Sequence, residues 1–144
     1  MAVPFLACMA LVASIYHLPP RVLPSIRVIE GGWPGAAVRN TNGSEDLGVM
    51  QVNTLWIEPL VRYTGLPAPV VRQKLVNLPC FNIAAAGAIL RGYLDEANGD
   101  LMQAIGYYHS HRPALGLPYR VRVRNAAAML FSRTAVAGGP PAVQ

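Results

Sequence analysis

The apolar residues of this chain recur at helical spacing over most of its length, beginning with an apolar run at residues 5–17. The sequence HLPPR ends that first helix, and Pro20 suits the start of a second. The second helix carries four apolar residues at core spacing: Val22, Leu23, Ile26 and Ile29. Pro24 lies inside it, which predicts one missing backbone hydrogen bond and a bend. The segment ends at Glu30, before the helix-terminating sequence GGWPG.

Residues 38–46 are the one good strand candidate. Within them Asn42-Gly43 is the pair favoured in a type I′ hairpin turn. The pattern therefore predicts a small ribbon of two or three strands between the second helix and the rest of the chain.

Helical patterns return after this ribbon. Thr54 is a suitable cap for a short helix, and a further helix is expected over residues 70–76 after the sequence LPAP. A strong helix is predicted over residues 82–97, and Asp100 caps the next one. We expect Pro118 to open the last helix, which runs to about residue 133.

These elements predict an α+β fold, a mostly helical domain with one small β-hairpin beside a cleft. The length of 144 residues fits one domain, and the content of 53% apolar and 13% charged residues fits a compact one. We assign residues 1–133 to the domain and expect residues 134–144 to form a disordered tail.

The apolar run near the start, VPFLACMALVASIY, is too short to cross a bilayer, which takes about 20 residues. It has the apolarity of a signal-peptide core but lacks a basic region before it and an Ala-x-Ala cleavage site. The alternative is a first helix packed on the domain, with any export signal absent from this chain or already removed.

The net charge of +5 comes from twelve basic residues that are spread along the chain. This distribution does not favour nucleic acid, and an anionic cell-wall polymer is as good a partner for a basic surface. Much of the basic charge lies in the C-terminal half, at Arg112, Arg120, Arg122, Arg124 and Arg133.

Cys8 and Cys80 match no metal-binding spacing, and three scattered histidines do not complete a site. The sequence therefore predicts no metal and no cofactor. In an exported domain the two cysteines would pair, and the bridge would stabilise the fold by about 4 kcal/mol. In a cytosolic protein they would be buried thiols.

Two carboxylates stand on either side of the predicted hairpin. Glu30 lies among Val28, Ile29 and Trp33, and such apolar surroundings raise a carboxyl pKa. Asp46 follows a polar stretch, so it is expected to stay ionised. A protonated acid and an ionised partner are what cleavage of a glycosidic bond requires. The alternative is a pair of solvated carboxylates with no chemical role.

The segment RNTNGSEDLGVMQVNTLW, residues 39–56, resembles the hairpin of chicken-type lysozymes. The rest of the chain resembles the specialised lytic transglycosylases of type III secretion, type IV pilus and conjugation systems. The matching motifs are a first helix with a cysteine, LPPRVLPSIRVIEGG, GVMQVN, PCFNIAAAGAIL and AIGYYHS followed by YRVRV. This resemblance implies a lysozyme-like fold.

The resemblance also implies roles for individual residues. Glu30 would act as general acid and then general base, with Asp46 at the position of the second lysozyme carboxylate. The residues expected at the glycan cleft are Gln51 and Asn53 along it, Met50 beneath them, Tyr108 near the glutamate and Trp56 after the hairpin. Cys8 and Cys80 match positions that form a disulfide in this subgroup.

Two motifs depart from the family pattern. Gly31 stands where the family has serine after its glutamate, and the tyrosine motif continues His109-Ser110-His111 instead of Asn-x-Gly. A contact that orients the glutamate is therefore missing or supplied by another residue.

The function implied is a lytic transglycosylase that cleaves the MurNAc–GlcNAc β-1,4 bond of peptidoglycan and leaves 1,6-anhydro ends. It would act in the periplasm, opening the wall for a secretion, pilus or conjugation apparatus. One alternative is a hydrolytic lysozyme that uses Glu30 and Asp46. Another is a wall-binding assembly component without catalysis.

Overall fold

The structure is a computed structural model that describes the backbone of residues 3–138 and the side chains of residues 3–132. The helices are α1 (Leu6–Tyr16), α2 (Val22–Glu30), α3 (Ile57–Thr64), α4 (Ala68–Asn77), α5 (Pro79–Glu96), α6 (Leu101–His109) and α7 (Pro113–Gly138). The strands are β1 (Ala37–Arg39), β2 (Glu45–Leu47) and β3 (Val52–Asn53). A mostly helical α+β fold is thus confirmed.

Glu30 is the last residue of helix α2. The helix ends there because Gly31 takes a left-handed φ of 66°, and the Gly31 N–H donates to the carbonyl of Arg27 at 2.9 Å. Pro24 is the third residue of the helix, where a backbone N–H has no partner within the helix. The predicted loss of a hydrogen bond at Pro24 is therefore wrong, and the reason for expecting a bend disappears with it.

The three strands form one antiparallel sheet in the order β1-β2-β3. Asp46 in the central strand pairs with Val38 on one side and with Asn53 on the other. This register places Asp46 in the middle of the sheet, next to the amide side chain of Asn53.

The turn between β1 and β2 differs from the prediction. Gly43 has a φ of 88°, but Asn42 does not take a positive φ, so the type I′ turn, which needs both, is wrong. Asn40 instead donates its N–H to the Ser44 carbonyl at 2.8 Å and accepts from the Gly43 N–H at 3.1 Å. The result is a three-residue loop in which glycine occupies the left-handed position.

Two predicted helix starts are also wrong. Asn53, not Thr54, caps the helical turn that precedes α3, and its side chain accepts from the Leu55 N–H. Helix α7 begins at Pro113, while Pro118 lies inside it. Both prolines satisfy the preference for a helix start, and the earlier one is used.

Helix α7 continues to Gly138, past the predicted end near residue 133. The remainder of the expected tail, residues 139–144, lies outside the described residues. Asp100 caps α6, as predicted, by accepting from the Gln103 N–H.

Helix α5 runs through the core and packs against α1, α4 and α6, while α7 packs against α2 and α6. Large side chains with almost no exposure fill the space between them, namely Met9, Leu23, Ile26, Leu47, Met50, Leu75, Ile83 and Leu90. The core thus lies between the helices and the inner face of the sheet.

Asn82 is a fully buried polar residue on α5. Its Nδ2 donates to the carbonyls of Leu47 and Leu75, and its Oδ1 accepts from the Met50 N–H, all at 2.8 Å. Gly48 lies against it with a φ of 67°, where a Cβ would come within 2.4 Å of the Asn82 Nδ2. Asn82 therefore fixes the turn that joins β2 to β3.

Cys8 on α1 and Cys80 on α5 are joined by a disulfide bond, with Cα atoms 5.6 Å apart. The bridge ties the first helix to the start of the central one. Among the described residues, no single helix is both long and apolar enough to cross a membrane; α4 and α5 together pass by length and composition, but they are bent by 107°.

Candidate active site

A cleft of about 410 Å³ separates the sheet from the C-terminal helices. It is lined from one side by the end of α2, the hairpin and β3, and from the other side by α5, α6 and the segment after α6. Its walls include Glu30, Asn40, Asn42, Ser44, Asp46, Gln51, Asn53, Trp56, Tyr93, Tyr107, Tyr108, His109 and His111. Both predicted carboxylates therefore open into one cleft.

Glu30 has the properties of a general acid. Burial, and to a smaller extent the charge of Asp46, raise the pKa of its carboxyl, which is about 7 when all influences are combined. A hydrogen bond from Tyr119 and the positive charge of Arg122 lower the pKa, but by less than burial raises it. The carboxyl is therefore substantially protonated near neutral pH, as donation to a leaving oxygen requires.

Asp46 lies in contrasting, polar surroundings. Its Oδ1 accepts a hydrogen bond from the Asn53 Nδ2 at 2.9 Å, and its backbone carbonyl accepts from the Gln51 Nε2 at 3.4 Å. The arrangement suits an electrostatic partner for positive charge that develops in the cleft.

The side-chain amide of Asn53 makes its hydrogen bonds within the protein. Its Nδ2 donates to Ser44 Oγ as well as to Asp46, and its Oδ1 accepts from the Leu55 N–H. Both amide hydrogens are therefore used, and the residue lines the cleft mainly as the support of Asp46.

Gln51 and Met50 follow the turn after β2. Gln51 lines the cleft, has a φ of 54°, and donates from Nε2 to the Gly48 carbonyl at 3.1 Å. Met50 is fully buried beneath the cleft, and its carbonyl accepts a 3.0 Å hydrogen bond from the Tyr108 hydroxyl. The Met50 side chain thus supports the floor without facing the cavity.

Burial raises the pKa of the Tyr108 hydroxyl, and the charges of the two nearby carboxylates raise it further. The tyrosine that bonds Glu30 is a different one. Tyr119 on α7 donates from its hydroxyl to Glu30 Oε2 at 2.6 Å. Sequence reasoning did not single out Tyr119, although its place in an apolar stripe with Val123 left a buried hydroxyl that needed a partner.

Trp56 belongs to an aromatic wall at one end of the cleft, formed by Trp56, Tyr93, Tyr107 and His111. Tyr93 lies edge-on to Trp56 at 5.9 Å between ring centres, and Tyr107 stacks on His111 at 4.1 Å. His111 is also paired with Glu96 at 2.8 Å. This wall offers apolar ring surface together with polar edges, which suits the faces and hydroxyls of a sugar.

Within the described part of the chain, no group of three or more His, Cys, Asp or Glu side chains is placed to hold a metal ion.

Residues 8–115, which are most of the chain, match the transglycosylase SLT domain family. The chain is also similar to protein IpgF of Shigella flexneri and protein IpgF of Shigella sonnei, each 30% identical over 96 residues. Each alignment covers 66% of this chain, and it spans 59% of the length of the relative.

The family match includes both cleft carboxylates, the disulfide cysteines and helix α6, so the resemblance predicted from the motifs is confirmed. The chain belongs to the transglycosylase SLT domain family, whose activity is of the lytic transglycosylase type on peptidoglycan.

Proposed function

We propose that this protein is a lytic transglycosylase that cleaves the MurNAc–GlcNAc β-1,4 bond of peptidoglycan and leaves 1,6-anhydro-MurNAc ends. The observation that carries the proposal is Glu30, a carboxyl with a pKa of about 7 that lines the cleft of an SLT-family domain. Such a group holds a proton in the resting enzyme and releases it to a substrate oxygen.

In the first step Glu30 donates its proton to the glycosidic oxygen, and the bond between that oxygen and the MurNAc anomeric carbon breaks. Positive charge then develops on the sugar ring. Asp46, held by Asn53 on the sheet, supplies the negative charge that stabilises it.

In the second step the ionised Glu30 takes the proton of the MurNAc 6-hydroxyl, whose oxygen bonds to the anomeric carbon. The product is a 1,6-anhydro ring, and Glu30 is protonated again. No water is consumed, and the number of protons is unchanged over the cycle.

A hydrolytic lysozyme is the second candidate, and the specific observation in its favour is Asp46. The aspartate lines the same cleft as Glu30 and is held by a hydrogen bond, as a paired carboxylate would be. In this reaction Glu30 would activate a water, and the product would carry a reducing end.

We place the enzyme in the periplasm, where it would open the wall for a secretion, pilus or conjugation apparatus. The disulfide between Cys8 and Cys80 supports an oxidising compartment. The net charge of +5 favours binding to an anionic wall. The motif resemblance to transglycosylases of such systems supports the role.

The decisive experiment is digestion of purified peptidoglycan followed by mass spectrometry of the soluble muropeptides. We expect anhydro ends with the wild type and no products with Glu30→Gln. The control is Glu58→Gln, which removes an exposed glutamate of α3 outside the cleft. Reducing ends would replace the proposal with the lysozyme reaction, and an active Glu30→Gln variant would contradict both.

A further inference from the structure

His109 and Tyr119 form a stacked pair beside the candidate acid. Their ring centres are 4.7 Å apart and their planes differ by 9°. His109 is the last residue of α6, and Tyr119 lies on α7. The pair therefore bridges two helices at the edge of the cleft.

The hydroxyl of Tyr119 is the group that bonds Glu30 Oε2, at 2.6 Å. Tyr119 is only 3% exposed, whereas His109 is exposed and lines the cleft. The imidazole thus covers the ring whose hydroxyl points at the acid.

The imidazole of His109 makes no hydrogen bond or ion pair with another described residue, and its ring contact is the stack on Tyr119. His111, two residues later, makes a different set of contacts with Tyr107 and Glu96. The two histidines therefore stack on different tyrosines. Of these two tyrosines, Tyr119 is the one that donates a hydrogen bond to Glu30.

We propose that His109 is a positioning residue: by stacking on Tyr119 it holds the phenol in the orientation that donates to Glu30, and so sets the proton affinity of the acid. The residue that orients the glutamate is then Tyr119, and His109 keeps it in place. This inference rests on the proposed function for its meaning, since Glu30 is the acid of that reaction.

Loss of the stack should weaken the hydrogen bond from Tyr119, which favours the ionised carboxylate. The pKa of Glu30 should therefore rise when His109 is truncated. The interaction energy of a stacked aromatic pair, expressed as a change in the pKa of Glu30, corresponds to a rise of about 0.5–1 pH unit. Arg122 and Asp46, the charged groups that also act on Glu30, are unchanged by the substitution.

The test measures the Glu30 carboxyl directly, by NMR titration of protein carrying ¹³C at the glutamate side-chain carboxyls. The chain has four glutamates, and Glu30→Gln identifies the signal of interest. We expect His109→Ala and Tyr119→Phe each to raise the pKa of Glu30. In the double variant His109→Ala should add nothing to Tyr119→Phe, because both act through one hydrogen bond.

Two further variants separate stacking from other roles. His109→Phe keeps an aromatic ring at the position and should restore the wild-type pKa of Glu30. His111→Ala removes a histidine that stacks on Tyr107 and should leave that pKa unchanged. A Glu30 pKa that does not move in His109→Ala, or additive changes in the double variant, would overturn the proposal.

Kinetics distinguish this role from contact with substrate. A positioning role moves the pH profile of wall cleavage in His109→Ala, and a substrate contact alone would raise KM at an unchanged profile, which contradicts the proposal. The NMR titration does not depend on turnover. A wild type without wall activity would therefore refute the proposed function while the coupling of His109 to Glu30 was still measured.

Discussion

Tyr119 and Glu30 are 89 residues apart in the sequence and are joined by a 2.6 Å hydrogen bond from the phenol to the carboxylate. The bond exists because α7 packs against α2. This packing acts on Glu30 in two opposing ways. The hydrogen bond lowers the pKa of the Glu30 carboxyl, while burial of the carboxyl raises that pKa by more. The balance leaves an acid that titrates near neutrality.

Wall cleavage should lose activity as the pH rises through about 7. The burial of Glu30 raises the pKa of its carboxyl to about 7, so the protonated, active form predominates below that pH and is lost above it. Above the midpoint kcat/KM should fall about tenfold per pH unit. Initial rates of muropeptide release between pH 5 and 9 measure the profile.

The control for this profile is the same series at two salt concentrations, because the charge of the wall also responds to pH and salt screens it. A loss of activity centred near the ordinary glutamate pKa of about 4.3 would contradict the assignment of Glu30 as the acid.

Glu30→Gln should become more stable relative to the wild type as the pH rises. The folded-state pKa of Glu30 is raised from 4.5 to about 7, so the folded protein binds this proton more tightly than the unfolded chain does. Burying the carboxylate then costs nothing below about pH 4.5 and about 3 kcal/mol above pH 7. The variant has no such titration and escapes that cost.

Urea unfolding of both proteins at pH 4 and pH 8 measures this difference. The gap in the free energy of unfolding should change by about 3 kcal/mol in favour of Glu30→Gln between the two conditions. Parallel pH dependences in the two proteins would show that Glu30 titrates alike in the folded and unfolded states.

Asp46→Asn should slow wall cleavage by about 10- to 1000-fold, the scale of losing one preorganised electrostatic group. The change keeps the size of the side chain while removing its charge. Steady-state rates on purified wall measure the effect. The matched control is Glu45→Gln, the preceding residue of β2, whose carboxylate pairs with Arg72 at 2.7 Å and does not line the cleft. Unchanged turnover in Asp46→Asn would mean that Glu30 works alone.

The elements that sequence predicted well depend on local signals. Asp100 caps α6 because its side chain reaches an N–H three residues along the chain, and α2 ends at Glu30 because glycine follows. Competing local signals caused the errors: Pro113 and Pro118 are equally suited to a helix start, and only packing decides between them.

The carboxylates themselves could be predicted because their neighbours in sequence already differ in polarity. The partner of Glu30 could not, since Tyr119 lies on a helix far away along the chain and reaches the acid only through the packing of α7 on α2. Asn82 carried a weak signal in the sequence, because it directly precedes an apolar run, IAAAGAIL, in the same helix.

Asn82→Ala should destabilise the fold by about 3 kcal/mol or more. The substitution removes the three buried hydrogen bonds that Asn82 makes with the carbonyls of Leu47 and Leu75 and the N–H of Met50. Loss of the partner of a buried polar group costs about 1–3 kcal/mol. Thermal or urea unfolding measures the loss, and Asn125→Ala, an exposed asparagine on α7, is the matched control. Equal stability of the two variants would contradict the role of Asn82.

Reduction of the disulfide between Cys8 and Cys80 should destabilise the protein by about 4 kcal/mol. The bridge spans a sequence separation of 72 residues, and closing a loop of that size restricts the unfolded chain by about this amount. Urea unfolding with and without a reducing agent measures the loss. The Cys8→Ser, Cys80→Ser double variant should match the reduced wild type and should not respond to the reductant. A wild type whose stability is the same in both conditions would show that the bridge contributes nothing, and would remove the main support for an exported location.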